Sequence, residues 1–167
     1  MRTKDLEAFQ PVHNLKLYKR VQGIHQIEHF FRAAAGLDVD KEDIKRYYEF
    51  VDQKVTDLLL IAQHTAKSNG RITIELRDLP ITKGLQGSIH EFEKLDLDIG
   101  LERILDNTVP EPQGDLPYSE ETEARLPVIA GGLSLALARS FKLMDPELKN
   151  PAREIWDRAF QLFNLLL

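Results

Sequence analysis

The sequence predicts an all-α protein in which a short helix, a long helix and a short helix follow one another twice. Two long segments, 41–68 and 120–144, carry apolar residues at helical spacing, and shorter segments of the same kind flank each of them. With 167 residues, 43% of them hydrophobic, the chain can bury one core of ordinary size. We therefore expect a single domain, 1–167, with a first half at 24–93 and a second half at 97–166.

The first half opens with two helices. Apolar residues at helical spacing begin at Ile24, and Gly36 is well placed to end that short helix. Asp40 is predicted to cap the long helix 41–68, because its carboxylate can accept hydrogen bonds from the first backbone N–H groups. Since no glycine or proline interrupts this segment, a helix of about 40 Å is expected.

A short extended segment is predicted after the long helix. Asn69-Gly70 is typical of a helix end, and Ile72–Ile74 is β-branched throughout, which favours extended backbone. Asp78 is expected to cap a third helix near 79–93.

The second half repeats this order. Its elements are predicted as a short helix, a proline-rich loop, a long helix and a last helix at 97–108, 109–118, 120–144 and 151–166. Ser119 can cap the long helix, and Pro127 inside it predicts either a kink or a later start. Asn150 followed by Pro151 is typical of the start of the last helix.

Residues 71–78, RITIELRD, carry the most specific motif. They resemble the R-x-T-I-x-x-x-D pattern that ends the long helix and opens the third helix in archaeal-type histones. Residues 35–40 resemble the first connection of the histone fold. Two such units in one acidic chain resemble the bacterial single-chain doublet histone-fold family.

This resemblance implies two histone folds in tandem, packed on each other as an intramolecular handshake pseudodimer. In that family each small strand pairs with the connection of the opposite unit. The resemblance therefore places Ile72–Ile74 beside 109–118, and 37–39 beside the turn at 145–150.

Two structural details follow for the pseudodimer. Arg71 and Asp78 flank the small strand and should form an ion pair that fixes the loop. Gly131-Gly132 costs helix stability, which is tolerable where another backbone comes close; a kink linked to Pro127 is the alternative. In a histone handshake the two long helices cross at their middles, so Gly131-Gly132 should lie at that crossing.

Composition restricts the classes of function. There is no cysteine, which excludes disulfides and thiolate chemistry. The N-terminus lacks the apolar stretch of a signal peptide, and no apolar run reaches membrane-spanning length. We expect a cytoplasmic protein, located at the nucleoid if it binds DNA, without a membrane partner. Net charge is −5, and the acidic excess lies after residue 95, which argues against a strongly basic nucleic-acid binder.

A local basic patch remains as a candidate DNA-binding site in the first half. Its residues, partly by position in the histone motif, are Lys16, Lys19, Arg20, Lys67, Arg71 and Thr73. Against this, Asp38 stands where archaeal histones carry a basic residue, and the connections of the second half are acidic. Two functions follow: a nucleoid-associated protein with weak or one-sided contact to double-stranded DNA, or a module that binds another protein. The chain would be a monomeric pseudodimer or a weak homo-oligomer.

An enzyme is the remaining alternative. His25 and His29 belong to the H-x-x-E-H pattern of some zinc hydrolases, but a third ligand and a cleft are not indicated by the sequence. Phe30 and Phe31 follow directly, so this helix is predicted to be a packing element. We expect a non-enzymatic protein without a cofactor.

Overall fold

The computed structural model describes residues 23–167, which are helical throughout apart from turns and connections. Six α-helices are present in this range: α1 (Ile24–Ala35), α2 (Lys41–Ser68), α3 (Lys83–Asp96), α4 (Leu101–Asp106), α5 (Glu120–Met144) and α6 (Arg153–Leu166). One 3₁₀ turn, Leu76–Asp78, lies within the same described range. Extended pairing in the described residues is limited to one isolated bridge. The all-α class is confirmed.

The long helix α2 begins where its capping residues satisfy the free N–H groups. Oδ1 of Asp40 accepts from the backbone N–H of Asp43, and Oδ2 of Asp43 accepts from the backbone N–H of Asp40, both at 2.9 Å. The helix runs for 28 residues and ends before Gly70, whose φ of 70° is in the left-handed region.

The third helix starts later than predicted. Asp78 closes the 3₁₀ turn, and its carboxylate accepts from the N–H of Glu75 at 2.9 Å. The cap of α3 is Thr82, whose hydroxyl accepts from the N–H of Leu85 at 3.1 Å. The prediction of Asp78 as the cap was wrong because Pro80 keeps the backbone extended for several more residues.

The starts of two other helices also differ from the prediction. α4 begins after Gly100, whose φ is 74°, so it is shorter than the predicted 97–108. α6 begins after Ala152, not at Asn150-Pro151. Pro151 is buried, so it contributes to packing just before the helix.

The second long helix, α5, is continuous through Pro127. Ser119 caps it by accepting from the N–H of Thr122 at 3.2 Å. By length and composition α5 could cross a membrane, but 78% of its most apolar window is buried inside the fold. Packing in the protein core therefore accounts for its apolar sequence.

The helices of the two halves exchange their packing partners. Phe50 of α2 stacks edge-on against Phe163 of α6, with ring centroids 4.9 Å apart. Trp156 of α6 donates its indole N–H to Asp43 of α2 at 2.8 Å. The other long helix, α5, packs closely against α3 of the first half. Each long helix thus contacts the last helix of the other half, and α6 also packs on α5 of its own half, where the rings of Trp156 and Phe141 lie 4.9 Å apart.

The glycine pair in α5 lies at the second of these contacts. A methyl group on Gly132 would lie 2.9 Å from the backbone N of Ile89 in α3, and one on Gly131 would overlap the ring of Phe92. The close approach predicted for Gly131-Gly132 is present, but the partner is α3. Our expectation that these glycines lie against the other long helix was wrong.

Candidate nucleic-acid interface

The connection after α2 is held against the segment that leads into α5. The backbone of Ile74 pairs in parallel with Tyr118, donating to Pro117 O and accepting from Ser119 N, both at 2.9 Å. The Thr122 hydroxyl donates to the same Ile74 carbonyl at 3.1 Å. The extended segment expected at 72–74 therefore shrinks to one bridged residue, which lies beside the predicted connection.

A second connection pairs at the other end of α2. The backbone N–H of Asp38 donates to Lys149 O at 2.7 Å, which joins the segment before α2 to the turn before α6. α2 separates these two paired connections by about 40 Å. Both contacts between connections of the two halves that the resemblance implied are therefore present.

Arg71 lies at the first pair of connections, and its charge is already compensated. Its guanidinium Nη2 donates to Oδ1 of Asp78, forming the predicted ion pair. The Asp78 side chain is 1% exposed and that of Arg71 21%. Glu75 lies on the other side, 4.0 Å from Arg71 Nε. Arg71 therefore fixes the turn 71–78, and little of its charge faces solvent.

Lys67 has an acidic partner as well. Its ammonium donates to Oδ2 of Asp115 at 2.6 Å, and this contact holds the pKa of the Asp115 carboxyl below its usual value. Both side chains are largely exposed, so salt screens the pair and it adds little stability. The pair still lowers the positive potential that Lys67 presents to a phosphate.

The remaining DNA candidates separate into two groups. Thr73 is half-buried between Ile72, which is 80% exposed, and the buried Ile74. Three further candidates lie outside the described residues; they are Lys16, Lys19 and Arg20. Of the six candidates, the structure brings together Lys67, Arg71 and Thr73.

The second pair of connections is acidic. Arg32 forms an exposed ion pair with Asp38, with Nη2 and Oδ1 at 3.4 Å, and Lys142 donates to the backbone carbonyl of Leu148. Asp145 and Glu147 are exposed beside them. Lys149 is exposed here as well, so a duplex that followed both connections would meet mainly negative or compensated charge at this end.

The metal alternative has no completed site in the described range. His25 and His29 are exposed on α1. Within residues 23–167, no group of three or more histidines and carboxylates is close enough to hold a metal ion.

A cleft that the sequence did not indicate lies between α3 and the start of α5. It has a volume of about 930 Å³. Its apolar lining includes Leu79, Ile89 and Ile129. Its charged lining residues are Glu75, Arg77, Glu93, Glu121 and Arg125, and His90 joins them.

Some of the charged residues at the rim of this cleft form ion pairs with one another. Arg125 of α5 donates to Glu93 of α3 at 2.9 Å, and Arg77 pairs with Glu75 at 2.6 Å. Because the lining combines residues between 75 and 93 with residues between 119 and 129, no local spacing could have indicated this cleft.

Comparison with known proteins places the chain among relatives of similar length. Residues 27–164 match the family described as a domain of unknown function, DUF1931. An uncharacterized protein of Aquifex aeolicus (strain VF5) is 31% identical over 143 residues, which span 86% of this chain and 83% of the relative.

Two crystal structures are similar to the whole described fold. A protein from Thermus thermophilus shares 47% identity at a TM-score of 0.76, over 85% of this chain and 96% of that one. A protein from Aquifex aeolicus shares 28% identity at a TM-score of 0.77, over 87% and 95% of the two chains. The chain belongs to the DUF1931 family.

Proposed function

We propose that this chain is two histone folds in tandem, packed as an intramolecular pseudodimer. Three observations support this: the repeated order of short, long and short helices, the contact of each long helix with the last helix of the other half, and the two paired connections. The element order and the paired connections are what the histone resemblance implies, and the pairing at Ile74 falls within the most specific motif.

The pseudodimer acts as a non-enzymatic module that binds another protein and not DNA. The carrying observation is that both described cationic candidates already have acidic partners: Lys67 has Asp115, and Arg71 has the buried Asp78. Charge supports the same choice. Residues 23–167 contain 17 lysines and arginines against 25 aspartates and glutamates, a net of −8, which repels a polyanion.

The cleft between α3 and α5 is the proposed partner site. Its apolar residues can accept apolar side chains of a partner, and its rim carries three glutamates against two arginines. Since both arginines are paired with glutamates, Glu121 leaves a net negative rim. A partner segment with apolar residues flanked by lysine or arginine is the complementary occupant.

A peptide titration tests the partner site. The probes are two amphipathic peptides of one design, one with lysine and leucine and one with glutamate and leucine. We expect the lysine peptide to bind, with amide shifts in NMR spectra at Ile89 and Ile129. Glu121→Lys should weaken binding several-fold, and the matched Glu120→Lys, one residue away but outside the cleft, should not. Equal binding of both peptides, or shifts elsewhere, would contradict the proposal.

DNA binding is the second candidate, and the charge of the N-terminal segment favours it. Residues 1–22 carry five lysines and arginines against two acidic residues. Fluorescence anisotropy of a labelled duplex, repeated over a salt series with the full chain, distinguishes the two functions. If the chain binds only another protein, the labelled duplex should show no binding even at low salt.

Variants identify which residues would be responsible for any DNA affinity. If the histone-like surface binds DNA, Lys67→Ala should reduce the salt slope by about one unit, while Lys83→Ala, outside the paired connections, should not. A steep slope that is lost on Lys67→Ala would overturn the protein-only function.

A further inference from the structure

We propose that residues 15–21, the basic stretch LKLYKRV, bind along α2 of their own chain in a groove beside the start of α1. The basic stretch precedes the residues that the structure describes. The groove has a volume of about 460 Å³, and it is lined by Ile24 of α1 and by one side of α2 between Lys41 and Asp52. The inference does not depend on the proposed function, because this groove and the cleft between α3 and α5 have no lining residue in common.

The described part of the chain begins at this groove. Ile24 is the first residue of α1 and also lines the groove, so the preceding residues join the fold there. An extended chain spans about 3.3 Å per residue, which places residue 19 within about 13 Å of Gly23. The side of α2 from Lys41 to Asp52 is about 17 Å long. The basic stretch is therefore close enough to reach the groove and long enough to follow it.

The floor of the groove is apolar. Ile44 is 6% exposed, and Ile24 and Tyr48 are partly buried against the core beside it. The basic stretch carries four apolar or aromatic side chains, which are Leu15, Leu17, Tyr18 and Val21. Contact between the two sets removes apolar surface from water on both sides, which favours docking.

Charge decides the direction in which the basic stretch follows α2. Glu49 and Asp52 are exposed at one end of the groove, and Lys41 and Lys45 are exposed at the other. Among the residues that the structure describes, neither of these two carboxylates belongs to an ion pair. The basic stretch has no acidic residue, and its cations are Lys16, Lys19 and Arg20. It therefore runs towards Glu49 and Asp52, where opposite charges attract, and away from the two lysines.

This contact changes what the N-terminal segment offers to DNA. Lys19 and Arg20 are candidates for DNA binding, and contact with Glu49 and Asp52 lowers the positive potential that they present to a phosphate. Because these carboxylates are exposed, salt screens the contact. The groove is thus an autoinhibitory site that withholds cations of the chain from DNA, most strongly at low salt.

Limited trypsin digestion of the full chain, followed by mass spectrometry, tests the docking. Trypsin cleaves after lysine and arginine, and it acts on the released form of a docked segment, so the rate reports the released fraction. Glu49→Ala combined with Asp52→Ala should raise the cleavage rate after Lys19 and Arg20 by about fivefold or more at low salt. The rate after Lys4, which lies outside the basic stretch, should not change.

A matched pair of substitutions in α6 is the control. Glu154→Ala combined with Asp157→Ala removes the same two residue types at the same spacing along a helix, and both side chains are exposed. This variant should leave cleavage after Lys19 and Arg20 unchanged, and circular dichroism establishes that both double variants are folded. Equal rates for the parent and the α2 variant overturn the proposal, and so does equal acceleration by the α6 variant.

NMR spectra of the full chain locate the contact. Lys19→Gln combined with Arg20→Gln should shift the amide signals of the groove residues on α2. Arg2→Gln combined with Lys4→Gln removes the same charge outside the basic stretch and should leave those signals in place. Shifts confined to other helices would mean that the basic stretch binds elsewhere, and they overturn the proposal.

Discussion

The two long helices have the same place in their halves but different physical roles. α2 has a polar outer side and exposes Leu60 and Ile61 there. α5 buries 15 of its 25 residues and contacts each of the other five helices. The repeat therefore sets the order of elements, while the core is built around one member of the pair. The glycine pair, present only in α5, lets α3 come close enough for that role.

The buried polar side chains of the two long helices also differ. α2 buries the charge of Lys54, which is 1% exposed and bonds to Asp57 and Asn164. α5 buries only uncharged polar side chains, such as Ser134, whose hydroxyl lies 2.7 Å from that of Tyr47. Their starts differ too, because α2 is capped by a carboxylate and α5 by a serine. Four predictions test this contrast.

The largest difference is expected from leucine truncation. Leu137→Ala on α5 should lower the free energy of unfolding by about 2–5 kcal/mol, because it leaves a cavity in the centre of the core. Leu60→Ala on the outer side of α2 should change it by no more than about 0.5 kcal/mol. Guanidinium unfolding followed by circular dichroism measures both. Equal losses would mean that the outer side of α2 is covered in solution.

The next-largest effect on the free energy of unfolding is expected at the buried ammonium group of Lys54 in α2. Asp57→Ala should cost up to about 3 kcal/mol, because it leaves Lys54 buried with only the Asn164 amide. Lys54→Met removes the charge together with its desolvation cost, and it should stay within about 1 kcal/mol of the parent. The same unfolding assay ranks the two variants. A greater loss for Lys54→Met would indicate that the ion pair itself stabilises the contact between α2 and α6.

Glycine-to-alanine substitutions should give smaller changes in the free energy of unfolding. The change should be destabilising in α5 and stabilising in α3. Gly132→Ala should lower the free energy of unfolding by about 1–3 kcal/mol, since its methyl group meets the backbone of Ile89. Gly87→Ala in α3 meets nothing within 4 Å, and it should stabilise by up to about 1 kcal/mol through helix propensity. A stabilising Gly132→Ala would show that α3 can move away without cost.

The smallest effect is expected at the helix starts as pH changes. Burial raises the pKa of Asp43, while the backbone N–H of Asp43 lowers the pKa of Asp40. Stability from Asp43 is therefore present at low pH and lost as pH rises through its raised pKa. Stability from Asp40 is present above the ordinary aspartate pKa and lost as pH falls through its lowered pKa.

Carbon-detected NMR titration of the two carboxyls measures these pKa values directly. We expect Asp43 to titrate above the ordinary aspartate value and Asp40 below it. Ser119, which caps α5, has no group that titrates in this range, so its cap should contribute no comparable pH-dependent term to stability. The reverse order of the two pKa values would contradict the assigned capping geometry.

Local signals were sufficient for most of the secondary structure. The bounds of α2 and α5 follow from capping residues and from apolar spacing, both of which act within a few residues. Starts that depend on proline were less predictable: Asp78 and Asn150 had the right side chains, but Pro80 and Pro151 lie in the connections and the caps are Thr82 and Ala152.

In the candidate site, too, local partners were predictable from the sequence and long-range partners were not. The Arg71 motif correctly indicated a partner seven residues away, because that interaction lies within one turn of chain. The partner of Lys67 is Asp115, 48 residues away, and no spacing in the sequence connects them. Whether a lysine is available to a phosphate depends on such long-range partners.

The sequence by itself determined that the protein is all-helical, where its two long helices lie and which turn Arg71 fixes, because these depend on neighbouring residues. Only the tertiary structure decided which helix Gly132 contacts, how the charge of Lys67 is compensated and where the cleft between α3 and α5 forms. Those outcomes depend on contacts between segments distant along the chain, where many pairings satisfy the same local pattern and close packing selects one.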